Sequence, residues 1–451
     1  MAKARKYRIV FIIPLIITIL FPTGSKEASQ EYNSIFQESN SNIWMIKLDA
    51  FGTHEWNQSF GGEHSEMGTS VLQTIDGGYV LVGIDRDDDY VIMIKTNASG
   101  SLEWYKSIQT YDLEPCSSEL LTILPARDSG FLVGGMLREQ MWLMKMTITG
   151  GIVWDKRYEF DPFGRDRLTS IIHSKDGGMA LVGCIGDDIL GSYNMSLIKT
   201  DSRGNIVWNR TYRPNDRTRT GGNAILQAND EGFLLAGVAG SCSEICVTYL
   251  VKTDASGMMI WNQRCDVLDQ GMAYSVVEAA DGGYFVAGEN YVRSRSFDIS
   301  LFKTDINGNL EWYTFYGGDG VDGARKILDI GENAYLIVGN TESYGAGASD
   351  MYLVKIANNG TVEWEKTYGS EGDDEAINAI KTTDGGVMLI GYGSGSPSYE
   401  LNFHNSDPID TVQSIPPVYD GAFLSRVVLF LLVISLFIIS LFTARRTKPL
   451  K

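Results

Sequence analysis

Histidine and cysteine are scarce in this chain of 451 residues, which contains four histidines and five cysteines. The histidines at positions 54, 64, 173 and 404 show no spacing typical of a pair of metal ligands. No serine lies in the Gly-x-Ser-x-Gly context of a hydrolase nucleophile. The sequence therefore predicts no cofactor and no metal centre from ligand spacing, and it gives no direct sign of a catalytic centre.

Basic residues are also in short supply, with 38 lysines and arginines against 56 acids and a formal charge of −18. Eight of the basic residues lie in the outer segments, at positions 3–8 and 445–451, which leaves 30 against 56 acids in between. A surface this acidic repels a phosphate backbone. The sequence therefore excludes nucleic acid as a partner.

Both ends of the chain carry membrane signals. Four basic residues precede the apolar run Ile9–Phe21, and small residues follow, so residues 1–25 read as a signal peptide or, alternatively, an uncleaved anchor. The run Val427–Ala444 has 18 residues without a charge, and Arg445, Arg446 and two lysines follow it. We expect a single transmembrane helix over 425–444, a cytoplasmic tail over 445–451, and a body held outside the cytoplasm at the cell membrane.

A tryptophan recurs seven times between these ends, at intervals of 48 to 54 residues. The positions are Trp56, Trp104, Trp154, Trp208, Trp261, Trp312 and Trp364. A lysine that ends an apolar strand and then a glycine turn precede each one. A second turn, of the type Asp-Gly-Gly, follows six of them and has the degenerate form Gly331-Glu332-Asn333 in the sixth repeat. Repeats of about 50 residues with four short strands are typical of a β-propeller.

We therefore predict an all-β, seven-bladed β-propeller of four-stranded antiparallel blades over residues 43–393. Residues 26–42 form a polar leader, and residues 394–424 form a stalk rich in proline and serine. The hairpins Ile43–Phe60 and Ala376–Gly393 are predicted to share one blade, so that the ring closes by pairing of its N-terminal and C-terminal hairpins. The tryptophans are interpreted as packing between blades, with ligand stacking as the alternative.

The order of apolar strand, lysine, glycine turn, tryptophan, Asp-Gly-Gly turn and apolar strand resembles the SBBP-type propeller repeats and, more loosely, the PQQ-like repeats. The resemblance covers residues 43–393 and implies an extracellular bacterial or archaeal protein with the tryptophan strand outermost. Quinoprotein dehydrogenases of PQQ-like fold usually have eight repeats and a vicinal disulfide. This chain has seven repeats and no adjacent cysteines, which argues against that activity.

The longer loops fall on the face of the ring opposite the tight turns, and loops of this kind usually carry binding. Acidic residues cluster there in the first and the last two repeats, and their oxygens could bind Ca²⁺. The alternative is that they are solvated loops. The predicted binding residues are Glu66, Asp87, Asp88, Asp89, Asp319, Asp322, Asp373 and Asp374.

Two further sets of residues suggest covalent modification. Cys246 and Cys265 flank one hairpin and form a candidate disulfide, with Cys242 as the competing partner. Five Asn-x-Ser/Thr triplets are candidate glycosylation sites: Asn57, Asn97, Asn194, Asn209 and Asn359.

Two functions remain open at this point. The first is a membrane-anchored, extracytoplasmic propeller that binds an extracellular protein or glycan through its variable loops. The second is an extracytoplasmic enzyme, carbohydrate-active or quinone-dependent, with its site at the mouth of the central channel. A carbohydrate hydrolase would need two carboxylates about 5–10 Å apart at that mouth.

Overall fold

The computed structural model describes residues 41–394 and 413–414. Within the first range, it leaves out 63, 88–89, 110–120, 138–139, 161–165, 188–191, 215–217, 241–245, 266–269 and 293–295. The predicted signal peptide, transmembrane helix and cytoplasmic tail lie outside the described residues, as do nearly all of the leader and stalk. Those segments stay predictions. No helix in the part of the chain that the structure describes is long and apolar enough to span a membrane.

Twenty-eight strands in residues 42–393 form seven four-stranded antiparallel sheets. The innermost strands are β3 (Glu66–Gln73), β7 (Thr122–Pro125), β11 (Arg167–His173), β15 (Thr220–Gln227), β19 (Gly271–Glu278), β23 (Asp322–Gly331) and β27 (Asp374–Lys381). The second strands are β4 (Tyr79–Asp85), β8 (Phe131–Leu137), β12 (Met179–Asp187), β16 (Phe233–Gly240), β20 (Tyr284–Tyr291), β24 (Ala334–Thr341) and β28 (Val387–Gly393).

The third strands are β1 (Asn42–Leu48), β5 (Tyr90–Thr96), β9 (Gln140–Met146), β13 (Ser192–Thr200), β17 (Cys246–Thr253), β21 (Phe297–Thr304) and β25 (Asp350–Ala357). The outermost strands are β2 (His54–Phe60), β6 (Leu102–Gln109), β10 (Ile152–Tyr158), β14 (Ile206–Tyr212), β18 (Met259–Cys265), β22 (Leu310–Tyr316) and β26 (Val362–Tyr368). Each innermost strand contacts the innermost strands of its two neighbours. The sheets are therefore the blades of a seven-bladed propeller, as the repeat predicts.

We number the blades 1 to 6 in chain order, from β3–β6 to β23–β26. Blade 7 has the order β2-β1-β28-β27 and so contains strands from both ends of the described region. In this sheet β1 and β28 pair antiparallel, from Asn42 opposite Gly393 to Leu48 opposite Val387. The second and third strands of the blades are buried almost throughout. A single repeat cannot shield strands that are buried on both faces, and the neighbouring blades do so here.

The tryptophans pack between blades, as the sequence interpretation predicts. The indole ring of Trp208 in blade 3 lies against Gly257, whose turn belongs to blade 4. In the same way Trp364 of blade 6 lies against Gly52 of blade 7. A side chain on the glycine would collide with the ring in both places. The glycines also have φ near +75°, a conformation that L side chains rarely adopt.

The lysine that recurs in every repeat forms an ion pair with at least one carboxylate of its own blade. Lys303, with 2% of its side chain exposed, contacts Asp281 at 2.8 Å and Glu311 at 2.9 Å. Its Nζ also donates to the carbonyl oxygen of Thr304. The equivalent pairs are Lys47 with Asp384 and Glu55, Lys95 with Asp76 and Glu103, Lys145 with Asp128, Lys199 with Asp176, Lys252 with Asp230, and Lys355 with Glu363.

Blade 6 lacks the aspartate because its second turn is shorter. Glu332 and Asn333 both have positive φ, near 56° and 59°, and form a two-residue turn between Gly331 and Ala334. Lys355 then keeps one carboxylate partner and is 21% exposed. The degenerate sixth repeat is therefore a change of turn type within an unchanged blade.

The two ends of the ring differ. We call the end that carries the glycine turns and the Asp-Gly-Gly turns the tight-turn face. We call the other end, with the loops that begin after Phe60, Asp85, Tyr316, Thr341 and Tyr368, the loop face. The tight-turn face repeats one construction around the ring, whereas the loops of the opposite end vary in length and sequence.

Candidate functional site

The predicted binding acids of the loop face separate into buried and exposed groups. Glu66, Asp322 and Asp374 are buried, with 8%, 0% and 0% of their surface exposed. Asp373 is half-buried, and Asp87 and Asp319 are exposed. Asp88 and Asp89 lie outside the described residues. The alternative, that these acids are solvated loop residues, therefore does not hold for Glu66, Asp322 and Asp374.

The buried acids occupy one structural position, the first residue of an innermost strand. Asp322 accepts a hydrogen bond from the backbone N–H of Gly318 at 2.8 Å, and Asp374 accepts one from Ser370 at 2.5 Å. Asp166, which precedes β11 and was not singled out in the sequence, accepts one from Phe160 at 2.8 Å. In blades 3, 6 and 7 a carboxylate therefore bonds to the backbone of the chain that leads into the innermost strand.

Blades 6 and 7 bring several of these acids together. Burial raises the pKa of Asp350 to about 6, and the nearby charges of Asp374 and Asp373 add to the effect. Burial also raises the pKa of Asp322 and Asp374. The N–H of Gly347 and the hydroxyl of Ser343 bond to Asp350 and Asp322 at 2.9 and 2.6 Å. The acids of the cluster are thus hydrogen-bonded to their own loops, and their raised pKa values mean that burial disfavours the charged form.

A second cluster lies between blades 7 and 1 and includes a histidine. His64 Nδ1 lies 3.1 Å from Asp85 Oδ2, and Asp87 Oδ2 accepts the backbone N–H of Ser65 at 2.8 Å. One ligand atom from each of His64, Asp85 and Asp87 falls within 4.8 Å of the others. The sequence could not show this, because His64 lies in the loop before β3 whereas Asp85 and Asp87 lie at the end of β4 and just after it.

Glu66 adjoins this cluster. It stands directly opposite Asp85 in the β3–β4 ladder, so both side chains lie on one side of the sheet. Burial raises the pKa of Glu66, and the charge of Asp85 raises it further. Its Oε2 atom is buried and has no hydrogen-bond partner among the described residues. A nitrogen and carboxylate oxygens at this spacing can coordinate a divalent transition metal or Zn²⁺, and they suit Ca²⁺ less well because Ca²⁺ prefers oxygen alone.

The central channel was the predicted place for an enzyme site. Blades 5 and 6 place a charged cluster near it, with Tyr274 and Arg325 on the innermost strands β19 and β23 and Glu289 on the neighbouring strand β20. The Arg325 guanidinium lies 5.1 Å from the ring centre of Tyr274, and the Tyr274 hydroxyl donates to Glu289 Oε1 at 2.9 Å. Burial raises the pKa of Glu289, and Arg325 opposes the shift. This cluster holds one carboxylate, so it does not supply the pair that glycoside hydrolysis uses.

The innermost strands carry polar side chains at their bulges, and two of these side chains bond to the next blade. The extra residue of β11, Thr169, donates to the Gly222 carbonyl of blade 4 at 2.7 Å. The extra residue of β15, Asn223, donates to the Ala273 carbonyl of blade 5 at 2.8 Å. These channel residues therefore link neighbouring blades.

The strand register around the candidate disulfide Cys246–Cys265 differs from the one expected from the sequence. Cys246 and Cys265 are both buried. A register shift between Lys252 and Thr253 places Cys265 opposite Thr248, two residues from the expected partner. The direct cross-strand alignment was therefore wrong, and the bridge itself stays a prediction.

The five glycosylation candidates differ in exposure. Asn209 and Asn359 are exposed, whereas Asn57, Asn97 and Asn194 are half-buried. The Oδ1 atom of Asn97 accepts the backbone N–H groups of Ser99 and Ser101, at 3.0 and 2.9 Å, so this side chain builds its turn. Asn209 and Asn359 are the more accessible candidates.

Comparisons with known proteins return no matching protein family and no matching curated protein. Solved structures with similarity include Sqt1 from Chaetomium thermophilum, at 11% identity, 80% coverage of this chain, 100% of that chain and a TM-score of 0.45. A protein from Lactobacillus plantarum has 12% identity, 72% and 94% coverage, and a TM-score of 0.45. A candidate 6-phosphogluconolactonase from Bacteroides fragilis has 12% identity, 70% and 94% coverage, and a TM-score of 0.44.

Proposed function

We propose that this chain is a membrane-anchored, extracytoplasmic propeller of the SBBP or PQQ-like type, which binds an extracellular protein or glycan through its loop face. The observation that carries the proposal is the contrast between the two faces. One face repeats a single ion-paired turn, whereas the other carries varied loops with carboxylates and a histidine. Varied loops on a rigid ring are the arrangement that binding modules use.

The basic stop after Val427–Ala444 supports the anchor, and the strand order of blade 7 supports closure of the ring by its terminal hairpins. The enzymatic alternative has less support, because the channel cluster of Tyr274, Glu289 and Arg325 contains a single carboxylate that already accepts a hydrogen bond.

The site for partner contact is best placed at His64, Asp85 and Asp87, which we propose take a divalent metal with Glu66 beside them. A metal held at an exposed loop edge keeps open positions that a carboxylate or hydroxyl group of a partner can fill.

Isothermal titration of the full chain with Zn²⁺, Mn²⁺ and Ca²⁺ tests this. We expect Zn²⁺ or Mn²⁺ to bind more tightly than Ca²⁺, and His64→Asn to remove the difference. Asp319→Asn, an exposed acid of the same face, is the matched control and should leave binding unchanged. Equal Zn²⁺ binding by the wild type and His64→Asn would contradict the metal site.

Partner binding needs its own test. A pull-down and a glycan array with the full chain, each with and without the preferred metal, should yield a ligand that is lost when Asp85 and Asp87 are replaced by asparagine. A ligand retained by that variant would move the binding site elsewhere on the ring.

A further inference from the structure

Exposed apolar side chains are unevenly distributed over the propeller. Thirteen large apolar residues are exposed in the part of the chain that the structure describes. Eleven of them lie in the tight turns or in the first two residues of an outermost strand, and therefore on the tight-turn side. They are Phe51, Ile75, Leu102, Ile152, Val153, Ile206, Val207, Met258, Met259, Ile260 and Ile306.

Three consecutive blades account for most of this set. The outermost strands of blades 2, 3 and 4 begin with two exposed apolar residues, Ile152-Val153, Ile206-Val207 and Met259-Ile260. In the other four blades the second of these positions holds a glutamate that pairs with the repeat lysine, as Glu311 does with Lys303. Val153, Val207 and Ile260 are 53%, 61% and 59% exposed. These three apolar side chains are exposed, so core packing does not explain why they occupy the position that holds glutamate in the other blades.

The charge of the outermost strands changes in the same three blades. Strands β10, β14 and β18 contain four basic residues and one acid, which are Lys156, Arg157, Arg210, Arg264 and Asp155. Strands β2, β6, β22 and β26 contain five acids and two basic residues, which are Glu55, Glu103, Glu311, Glu363, Glu365, Lys106 and Lys366. Blades 2 to 4 therefore form a basic sector in an otherwise acidic protein.

Most of the acids that remain on the tight-turn side of this sector have partners, and the exception, Glu231, is exposed in the second turn of blade 4. Asp155 accepts the Trp142 Nε1–H at 2.6 Å. Asp128, Asp176 and Asp230 pair with the repeat lysines of their blades. Asp201 and Asp254 accept backbone N–H groups within their turns. Two exposed basic groups lie beside the apolar side chains: Arg203 is in the turn directly before Ile206, and Arg210 lies against Gly257 in the turn before Met258.

We propose that this surface, the tight-turn side of blades 2, 3 and 4, docks on an anionic lipid bilayer. Equivalent positions in successive blades lie at equal height along the ring axis, so the apolar pairs form an arc in one plane. A bilayer surface is planar, and aliphatic tips with interspersed lysine and arginine are what anionic interfaces retain. The blade repeat thus supplies a flat contact surface, as opposed to a groove for a peptide.

Docking in this way turns the loop face away from the bilayer. The surface is separate from the His64, Asp85 and Asp87 cluster, which lies on the loop face between blades 7 and 1. The inference therefore does not depend on the metal or on the partner proposed for that face.

The test uses the full chain in nanodiscs of phosphatidylcholine alone or with phosphatidylglycerol. Because the predicted anchor would hold the chain in either bilayer, the readout is local hydrogen–deuterium exchange over β10, β14 and β18. We expect exchange there to slow roughly tenfold in the anionic nanodiscs, and the effect to weaken at high salt. Exchange over β2, β22 and β26 should stay the same.

The triple variant Val153→Glu/Val207→Glu/Ile260→Glu should lose this protection. Each substitution installs the glutamate that the other four blades carry beside the same lysine, so the ring should fold, and unchanged exchange over the innermost strands checks that it does. Tyr291→Glu, at an exposed aromatic residue of the loop face, is the matched control. Equal exchange in both nanodiscs, or full protection of the triple variant, would overturn the proposal, as would protection by a soluble acidic protein and not by lipid.

Discussion

The hydroxyl group of Tyr368 donates a hydrogen bond to the carbonyl oxygen of Gly52, a residue 316 positions earlier in the chain. The same bond joins Tyr158 to Gly204, Tyr212 to Gly257 and Tyr316 to Gly360 at other blade interfaces, over 44 to 46 positions. The contact between blades 6 and 7 is thus built like the contacts between consecutive repeats.

Tyr368→Phe and Tyr212→Phe should destabilise the ring by similar amounts. Each leaves a buried carbonyl oxygen without its donor, which costs about 1–3 kcal/mol. The free energy of unfolding, measured with urea, checks this. A much smaller loss for Tyr368→Phe would indicate that the interface between blades 6 and 7 contributes less than the other interfaces.

Deletion of residues 43–60 tests the closure of the ring. Closure by the terminal hairpins predicts that the deletion abolishes cooperative unfolding of the whole ring, whereas a weak interface between blades 6 and 7 predicts that cooperative unfolding remains.

Gly257→Ala and Gly385→Ala separate two effects at the turns. Both glycines have positive φ, near 79° and 87°. A methyl group at Gly385 meets no atom within 4 Å, whereas one at Gly257 would come within 2.7 Å of the Trp208 ring. We expect Gly385→Ala to cost about 1 kcal/mol from backbone strain alone. Gly257→Ala should cost about 1–3 kcal/mol more because the blades must separate, and equal losses in thermal unfolding would refute the packing role of the tryptophan.

Glu231→Gly should stabilise the protein. Glu231 has a φ of 66° in the second turn of blade 4, where most repeats carry glycine. Relief of the left-handed conformation should raise the free energy of unfolding by about 0.5–1 kcal/mol. Ser129→Gly, at the same position of blade 2 with a φ of 70°, should behave alike. Lower thermal stability of both variants would show that the native side chains compensate for the strain.

Asp350→Asn should stabilise the ring at neutral pH and have little effect near pH 4. The pKa of Asp350 is raised to about 6 in the folded protein, above its ordinary value of 3.8. A group of this kind favours folding most when it is protonated, and the contribution is lost as the pH rises through about 6. The free energy of unfolding of the variant should therefore exceed that of the wild type by about 3 kcal/mol at pH 7.5.

Thermal unfolding of the two proteins between pH 4 and pH 7.5 measures this difference. Asp319→Asn, at an exposed acid of the loop face, should show no such trend with pH. Parallel curves for Asp350→Asn and the wild type would mean that Asp350 is charged without penalty in the fold.

The fold was predictable because the repeat couples local and long-range signals. Each repeat tryptophan follows a turn glycine at one fixed spacing, as Trp208 follows Gly204. The period of about 50 residues accommodates four strands per blade, so the blades and their order follow. The role of Lys303 did not follow, because its partner Asp281 lies in the second turn of the blade and its partner Glu311 lies at the start of the outermost strand. Bulges were also hidden, and the shift after Lys252 displaced Cys265 from its expected partner.

The loop face was predictable as a location and less so in detail. A sequence places Asp322 and Asp374 beside loops, but it does not show that they accept N–H groups of those loops and are buried there. His64, in the loop before β3, and Asp85, at the end of β4, are 21 residues apart, and the β3–β4 ladder, which pairs Glu66 with Asp85, sets their distance. Spacing along the chain carries no information on such contacts.

Blade 7 has a consequence for the biosynthesis of the protein. Strands β1 and β2 leave the ribosome first among the strands of the ring, and β27 and β28, which complete their sheet, follow after more than 300 residues. Throughout that time the edge of β1 that will pair with β28 is open to other strands of nascent or neighbouring chains. Completion of the ring is therefore a late event of synthesis, and a chain that stalls before Asp374 is left with an unprotected strand edge.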